Sequence, residues 1–318
     1  MKNILVVMPW ITDEYKAAIE SVAIGHSVKY LMPSEVTEND IENTDIIVGN
    51  VSPSLLHGQS LEFVQLTSAG ADAYVKEGLL NRDTVLCCCT GAYSQTVAEH
   101  ALAVTLMIMK DLHLYRDSQL ESKWAPGGTT SSIDSSTVIV VGLGDIGRYY
   151  ARMAKALGAY VIGVKRRASE KPDYVDELYT TAQFDEIVGR GDVILSVMPS
   201  TPETIHFFTR ERFELMKDSA IFLNCGRGTA VSMDVLYDVL SNGVIASAGV
   251  DVFETEPLPE NSPLWGLKNL VITPHASGFF HLPATLGRVM DICINNLEAF
   301  LNGKELKNIV SYETGYKE

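Results

Sequence analysis

The chain of 318 residues lacks any apolar run close to the roughly 20 residues that a membrane-spanning helix requires. Its N-terminal stretch KNILVVMPW is too short for a secretory signal and has no small-residue cleavage site. Basic residues are also few, since 25 Lys and Arg stand against 40 Asp and Glu, a formal net charge of -15. This balance disfavours nucleic acids and anionic membranes as partners. We therefore expect a cytoplasmic protein that binds neither nucleic acid nor membrane.

Cysteine is scarce and poorly spaced for a metal site. Three of the five cysteines, Cys87, Cys88 and Cys89, are adjacent, and adjacent residues of a strand point to alternate faces. The pattern indicates neither a disulfide framework nor a zinc site. We expect buried, reduced thiols and no bound metal.

Short apolar runs bounded by turn residues are abundant in a composition that is 46% hydrophobic. In the N-terminal part they lie at 3–8, 28–31, 45–49, 63–67 and 85–89. Buried strands that alternate with helical stretches are typical of parallel α/β sheets. The length of the chain is sufficient for two such domains.

Two long helices are predicted at the crossings between the domains. One covers 94–114, with Ser94 as its cap, and the other covers 283–301 with a broad apolar face. The later helix is expected to return to the first sheet, and residues 127–135 form a connecting loop. We therefore expect one domain of residues 1–93 with 284–318, and another of residues 94–283.

A glycine pattern follows the predicted strand at 137–141. Gly142, Gly144 and Gly147 have the spacing G-x-G-x-x-G and precede a helix. The first glycine permits a tight turn, the second lets backbone approach a pyrophosphate, and the third lets the helix pack closely on the strand. The helix start offers free amides and a positive dipole to phosphates. Glycine turns also join strands to helices without a ligand, so it is the flanking strand and helix that favour a dinucleotide site.

The residues after the next predicted strand, 160–164, indicate which dinucleotide is bound. An NAD site carries an acid here for the ribose 2′-hydroxyl, whereas this chain has Lys165, Arg166 and Arg167. Cations do not accept hydrogen bonds, but they bind a 2′-phosphate. A solvated basic cluster would explain them in isolation. Their position in register with the glycines favours NADP(H) as the cofactor, with NAD(H) as the alternative.

Three residues suited to the reduction of a keto acid follow further predicted strands. Arg227 follows the strand at 220–224, Glu256 the strand at 246–250, and His275 the strand at 270–273. Ligands of open α/β sheets gather at the carboxyl ends of the strands. An arginine holds a carboxylate at two points and polarises the carbonyl, and a histidine exchanges a proton near neutral pH. A carboxylate on the other ring nitrogen would orient the histidine and stabilise its charged form.

The segment Ser68-Ala69-Gly70-Ala71-Asp72 follows the strand predicted at 63–67. Small residues leave successive backbone amides uncovered, which is a possible nest for a carboxylate. From the local sequence alone, an ordinary strand-to-helix turn is the favoured interpretation.

Seven motifs together carry a resemblance to a known family. The chain resembles the D-isomer-specific 2-hydroxyacid dehydrogenases over essentially its full length. The motifs are SAGAD (68–72), VAEHAL (97–102), VGLGDIG (141–147), MPSTPET (198–204), NCGRG (224–228), GVDVFETEPLP (249–259) and TPHASG (273–278).

The resemblance implies a fold of two Rossmann-like domains with doubly wound parallel sheets, an active site in the cleft, and a homodimer built through the dinucleotide domain. It makes Arg227 the substrate-binding arginine, Glu256 the acid that tunes the histidine, and His275 the acid/base. It also raises the amides of Ala69 and Gly70 to a substrate-carboxylate site, with Tyr93 lining the pocket. Further cofactor contacts are implied at Asp145, Ile146, Pro199, Thr204, Cys225 and Asp251.

The chain departs from the commoner family pattern at two places. The basic run at Lys165 is similar to that of NADPH-using glyoxylate/hydroxypyruvate reductases. Phe279 and Phe280 replace a glycine-rich segment, so the resemblance does not define the shape of the substrate pocket. The nearby His281 is interpreted as non-catalytic.

These patterns predict an NADP(H)-dependent oxidoreductase that reduces a small 2-keto acid to the D-2-hydroxy acid. One alternative is an NAD enzyme that resembles phosphoglycerate dehydrogenase, although the chain ends soon after the last helix and we expect no added regulatory domain. Another is a non-enzymatic dinucleotide sensor, similar to the corepressors that share this fold.

Overall fold

The computed structural model describes residues 1–125, 127–128, 130–278 and 282–317, and it divides the chain into two compact units. The first unit contains Met1–Tyr93 together with the C-terminal segment that carries the last helix. The second unit begins at Ser94 and extends through the loop after the last strand. Each unit is built on one parallel sheet, so the α/β class expected from the sequence is confirmed.

The first unit has a five-stranded sheet of order β2-β1-β3-β4-β5 within the described residues. Strands β1, β3 and β4 are buried almost throughout, which explains their continuous apolar sequences. The predicted runs are confirmed, although most of the strands end one or two residues earlier than expected. The elements are β1 (Asn3–Val7), α1 (Asp13–Val22), β2 (Ser27–Leu31), α2 (Glu38–Glu42), β3 (Ile46–Gly49), β4 (Phe63–Gln65) and β5 (Val85–Cys87).

The second unit has a seven-stranded parallel sheet of order β12-β11-β10-β9-β6-β7-β8 among the described residues. The order in which successive strands are added to the sheet reverses between the parallel strands β6 and β9, and α/β sheets of this kind bind their ligands at that point. The elements are α3 (Ser94–Met109), α4 (Leu112–Leu120), β6 (Thr137–Val141), α5 (Asp145–Ala156), β7 (Tyr160–Lys165), β8 (Glu177–Thr180), α6 (Phe184–Ile187), β9 (Val193–Ser196), α7 (Arg210–Glu214), β10 (Ile221–Asn224), α8 (Met233–Ser241), β11 (Ser247–Val250) and β12 (Leu270–Ile272).

The single helix predicted over 94–114 is wrong. Helix α3 ends at Met109, and α4 begins at Leu112. Between them Asp111 adopts a left-handed backbone with φ of 54°, which interrupts the helical ladder. The strand β8 was not predicted, because its half-buried residues ELYT form no continuous apolar run.

The last helix, α9 (Pro283–Leu301), has the predicted bounds and lies in the first unit. It packs against α1 and β4. Phe300 stacks on Phe63 with ring centroids 4.6 Å apart, and Asn296 donates to Gln65 Oε1 at 2.7 Å. The C-terminal segment therefore completes the core of the first unit.

All five cysteines are free and buried, as expected. Burial raises the pKa of the Cys87 thiol to about 12. Among the residues that the structure describes, no three His, Cys, Asp or Glu side chains are grouped so as to hold a metal ion. The same residues include no helix that is both long and apolar enough to cross a membrane.

Candidate active site

Two glycines of the turn between β6 and α5 stand where a side chain would not fit. Gly142 has φ of 101°, and a Cβ there would lie 2.7 Å from the carbonyl oxygen of Val197. A Cβ on Gly147 would lie 2.2 Å from the carbonyl oxygen of Gly142. Gly147 therefore allows the start of α5 to pack directly on the turn, which is the role expected of the third glycine.

The N-terminus of α5 is open to an anion. Its cap residue is Gly144, which is exposed and provides no side-chain hydrogen bond to the first turn. Asp145 instead pairs with Arg148 at 3.2 Å, and Ile146 is half-buried. Backbone amides and the helix dipole at such an end bind phosphates. The residues of this turn therefore fit the pyrophosphate of a dinucleotide.

The basic cluster 165–167 lies at the carboxyl end of β7, in the same sheet. Lys165 is half-buried and donates to Ser169 Oγ at 3.0 Å, and Arg166 and Arg167 are exposed. A hydrogen bond from Thr201 and, to a smaller extent, the charge of Arg166 lower the pKa of Glu203. Strand β7 pairs with β6, so the cluster follows the strand next to the one that carries the glycine turn.

The loop that follows β9, residues 198–204, is closed by the side chain of Thr204. Its hydroxyl donates to the carbonyl of Pro199 at 2.6 Å and accepts from the amide of Thr201 at 2.8 Å. The turn is therefore held rigidly by its own residues at the point where β9 meets β6.

The turn after β10 carries Arg227. The buried Asn224 donates to the carbonyl of Arg227 at 3.0 Å and accepts from the amide of Gly226 at 3.3 Å. The half-buried Arg227 donates to the carbonyl of Gly226 at 2.9 Å. Burial, together with the nearby carboxylate of Asp251, raises the pKa of the Cys225 thiol well above its usual value. Cys225 is therefore a neutral, closely packed part of this turn.

The loop that carries Glu256 is in contact with the Arg227 turn. A Cβ on Gly228 would lie 2.0 Å from the carbonyl carbon and oxygen of Phe253, so the two backbones touch. The amide of Phe253 donates to Glu256 Oε1 at 2.8 Å. The other oxygen, Glu256 Oε2, lies 2.7 Å from His275 Nδ1. The structure thus brings the predicted acid and histidine into a hydrogen bond beside the arginine turn.

His275 projects from a turn that Asp251 holds in place. The imidazole is half-exposed, at 55%, and the backbone of His275 is left-handed, with φ of 52°. The amide of His275 donates to the carbonyl of Asp251 at 2.8 Å. The carboxylate of Asp251, only 2% exposed, accepts from Thr273 Oγ1 at 2.5 Å and from the amide of Ala276 at 2.9 Å. These bonds offset the cost of the left-handed conformation.

The turn predicted as a carboxylate nest lies in the first unit, after β4. Ala69 and Gly70 are half-buried there. Tyr93 is 8% exposed, and its hydroxyl donates to the carbonyl of Thr67 at 2.7 Å. Phe279, Phe280 and His281 lie outside the described residues, as does part of the connecting loop 127–135.

Sequence patterns did not predict the contacts through which three polar residues shape these turns. Asn224 and Asp251 act through contacts with residues 2 to 26 positions away, and His100 on α3 lies 3.1 Å from Thr273 Oγ1. Asn224 and Asp251 stand at the carboxyl ends of buried strands, which was the available signal. Asp251 was expected as a cofactor contact, and its support of the His275 turn was not foreseen.

Residues 102–277 match the NAD-binding domain of the D-isomer specific 2-hydroxyacid dehydrogenases. A hydroxypyruvate reductase from Blautia hydrogenotrophica is 33% identical over 223 residues, which is 68% of each chain.

Solved structures resemble the chain over nearly its whole length. A member of the D-isomer specific 2-hydroxyacid dehydrogenase family from Aeromonas salmonicida has a TM-score of 0.85 and 30% identity, covering 98% of this chain and 100% of that one. An NADPH-dependent glyoxylate/hydroxypyruvate reductase from Sinorhizobium meliloti, in complex with NADP and sulfate, has a TM-score of 0.83 and 25% identity. That match covers 99% of this chain and 100% of the other.

Proposed function

Since this chain belongs to the D-isomer specific 2-hydroxyacid dehydrogenase family, we propose that it reduces a small 2-keto acid to the D-2-hydroxy acid, with NADPH as the preferred reductant. Membership of this family makes the chain an NAD(P)-dependent oxidoreductase. The observation that carries the proposal is the hydrogen bond between Glu256 and His275, beside the turn that presents Arg227.

The cofactor is held by the residues around the glycine turn. The amides at the start of α5 and the turn at Gly142–Gly144 receive the pyrophosphate, with Asp145 and Ile146 at the same helix end. Further cofactor contacts come from the turns at the carboxyl ends of the neighbouring strands. Pro199 and Thr204 follow β9, Cys225 follows β10, and Asp251 follows β11. The chemistry that a reduced nicotinamide supplies at such a site is transfer of a hydride to the carbonyl carbon of the substrate.

Lys165, Arg166 and Arg167 select the phosphorylated cofactor. They present three cations after β7 and no acid that would accept from a ribose hydroxyl. Arginine binds phosphate oxygens through two parallel hydrogen bonds, and lysine adds a point charge. The Sinorhizobium meliloti relative is NADPH-dependent by name, which supports the same preference here.

His275 exchanges the proton of the reaction. In reduction it donates a proton from Nε2 to the carbonyl oxygen, and in oxidation it takes that proton back. Nδ1 is engaged by Glu256 at 2.7 Å, which orients the ring and leaves Nε2 for the substrate. The half-exposed imidazole is accessible to a small substrate.

Arg227 and the Ala69–Gly70 turn bind the substrate. The guanidinium binds the carboxylate and polarises the carbonyl, and it stays charged throughout the reaction. The amides of Ala69 and Gly70 donate to the carboxylate, and Tyr93 supports the same turn from its buried position. Two relatives are named as hydroxypyruvate and glyoxylate/hydroxypyruvate reductases, which supports a small substrate of that class for this chain.

We also propose a homodimer formed through the second unit. Large apolar side chains are exposed on and just after α4, where Leu120 is 69% and Trp124 103% exposed. A second copy of the chain would cover this surface. Light scattering should give twice the mass of one chain, and Trp124→Glu with Leu120→Glu should give a monomer; a monomeric wild-type protein would contradict the proposal.

The experiment that tests the function is turnover. Absorbance of the reduced nicotinamide band is followed with NADPH or NADH and a panel of small 2-keto acids, and the product is analysed for its configuration. We expect consumption of NADPH and a D-2-hydroxy acid. An L product, or no turnover of any keto acid, would contradict the proposal.

A further inference from the structure

The turn at Ser68–Gly70 has its carbonyl groups occupied and its amides unused. The carbonyl of Thr67 accepts from Tyr93 at 2.7 Å, that of Ser68 from the amide of Cys89 at 2.8 Å, and that of Gly70 from Ser68 Oγ at 2.7 Å. Thr90 Oγ1 lies 3.4 Å from the carbonyl of Ala69. Within the described part of the chain, the amides of Ser68, Ala69 and Gly70 donate to no acceptor.

This division of donors and acceptors makes the turn a site for an anion. A carbonyl oxygen repels a carboxylate, whereas consecutive free amides attract one. Here the chain itself holds each carbonyl in a hydrogen bond and leaves three consecutive donors for a ligand.

Asn50, in the loop after β3, makes three hydrogen bonds beneath the turn. Its Oδ1 accepts from the amide of Thr67 at 2.9 Å and from Thr67 Oγ1 at 2.8 Å, and its Nδ2 donates to Ser68 Oγ at 3.1 Å. The orientation of the amide group is fixed, because a backbone N–H only donates and must face the oxygen. Asn50 therefore fixes the amide and the hydroxyl of Thr67 and the hydroxyl of Ser68.

The hydrogen bonds run in one direction, from Asn50 to the Ser68 hydroxyl and from that hydroxyl to the carbonyl of Gly70. Asn50 donates to the Ser68 hydroxyl, which is then left to give its single hydrogen to the carbonyl of Gly70. An aspartate in place of Asn50 would reverse the first step, since a carboxylate only accepts. The Ser68 hydroxyl would turn to the carboxylate and release the Gly70 carbonyl beside the bound anion.

We propose that Asn50 is a positioning residue for substrate binding, which sets the Ser68–Gly70 turn so that its amides alone face the carboxylate of the 2-keto acid. The inference rests on the proposed function for the identity of that carboxylate. Asn50 does not touch the substrate and acts through Thr67 and Ser68.

Binding of oxamate, an unreactive analogue of a 2-keto acid, tests the proposal directly. Calorimetry on the protein saturated with NADPH should give an oxamate affinity at least about tenfold weaker for Asn50→Asp than for the wild type, because hydrogen bonds to a charged group are lost and a negative charge is added. Affinity for NADPH, measured by its fluorescence, should be unchanged. Asn39→Asp, on the exposed face of α2, adds the same charge to the same unit and should leave both affinities unchanged.

Ser68→Ala provides a milder variant that keeps the test valid if Asn50→Asp does not fold. It releases the Gly70 carbonyl without adding a charge, so its loss of oxamate affinity should be smaller than that of Asn50→Asp but clear. In turnover assays both variants should raise KM for the keto acid more than they change kcat. Unchanged oxamate affinity in Ser68→Ala, or equal losses for oxamate and NADPH in Asn50→Asp, would overturn the proposal.

The two hypotheses fail in different ways. If the wild-type protein binds oxamate but reduces no keto acid, the proposed reaction is wrong while the role of Asn50 is still measured by oxamate affinity. If the wild type turns over keto acids and Asn50→Asp changes neither oxamate affinity nor KM, the role of Asn50 is wrong and the reaction stands.

Discussion

Glu256 Oε2 lies 2.7 Å from His275 Nδ1, and Glu256 Oε1 accepts from the amide of Phe253 at 2.8 Å. Oε1 of the carboxylate is thus bound by its own loop, and Oε2 binds the imidazole. This geometry orients the ring before any substrate binds, which is the preorganisation that acid/base catalysis requires.

His275→Ala removes the proposed proton donor. We expect kcat to fall by about 10²–10⁴-fold, the range typical of a lost general acid, while fluorescence titration shows unchanged NADPH binding. Glu256→Gln should lower kcat to a smaller extent, because the charge-assisted hydrogen bond that orients the ring is replaced by a weaker neutral one. Retention of wild-type kcat in His275→Ala would remove His275 from the mechanism. The His57→Ala change, at an exposed position of the first unit, provides the control.

Arg227→Lys keeps the charge and loses the planar fork. We expect KM for the keto acid to rise about tenfold and kcat to fall by a similar factor, because one of two parallel hydrogen bonds is lost. Steady-state kinetics at saturating NADPH measure both constants. Arg82→Lys, an exposed position in the first unit, should behave as the wild type. Equal kinetics for Arg227→Lys and Arg82→Lys would refute the two-point contact.

Replacement of the basic cluster should change the cofactor. In the triple variant Lys165→Asp, Arg166→Ser, Arg167→Ser, the ratio of kcat/KM for NADPH to that for NADH should fall at least about a hundredfold, since two or more charge-assisted bonds are lost. Lys268→Asp lies just before β12, at the opposite edge of the same sheet, and should not alter the ratio. A ratio that stays constant in the triple variant would assign the preference to other residues.

Glu177 makes the stability of the second unit depend on pH. Hydrogen bonds from Arg190, Tyr160 and Tyr179 hold the pKa of the Glu177 carboxyl well below its usual range. A lowered folded-state pKa contributes stability above the unfolded value of about 4.3, and that contribution is lost as the pH falls toward the folded value. Glu177→Gln should therefore lower Tm at pH 7, and the difference from wild type should shrink below about pH 4.

The exposed Glu170→Gln serves as the matched control for that measurement. Its Tm should follow the wild type at every pH. A Tm difference for Glu177→Gln that stays constant from neutral to acid pH would show that the carboxylate contributes through packing and not through its charge.

The strands and the glycine turn were predictable from sequence because their signals are local. Buried parallel strands such as β6 are continuous apolar runs, and the spacing of Gly142 and Gly147 follows from close backbone contacts within one turn. The half-buried edge strand β8 and the left-handed break at Asp111 produce no such pattern, so the first was missed and the second was predicted as continuous helix.

The positions of the site residues at strand ends were also predictable, but the hydrogen bonds that hold those residues in place were not. Asp251 bonds to Ser277, 26 residues away, and Asn50 bonds to Thr67, 17 residues away. Such bonds join separate loops, and they form only when the sheet has aligned the carboxyl ends of its strands. A polar residue at a strand end is a local signal, whereas its partner is set by tertiary structure.

Isotope transfer tests the central claim most directly. The protein is incubated with NADPH deuterated at the transferring position of the nicotinamide and with a small 2-keto acid, and the product is examined by mass spectrometry and chiral chromatography. The account predicts a D-2-hydroxy acid with the deuterium on its C2 atom, formed by the wild type and at least about a hundredfold more slowly by His275→Ala. Tight NADPH binding without labelled product from any keto acid would contradict it and indicate a dinucleotide sensor.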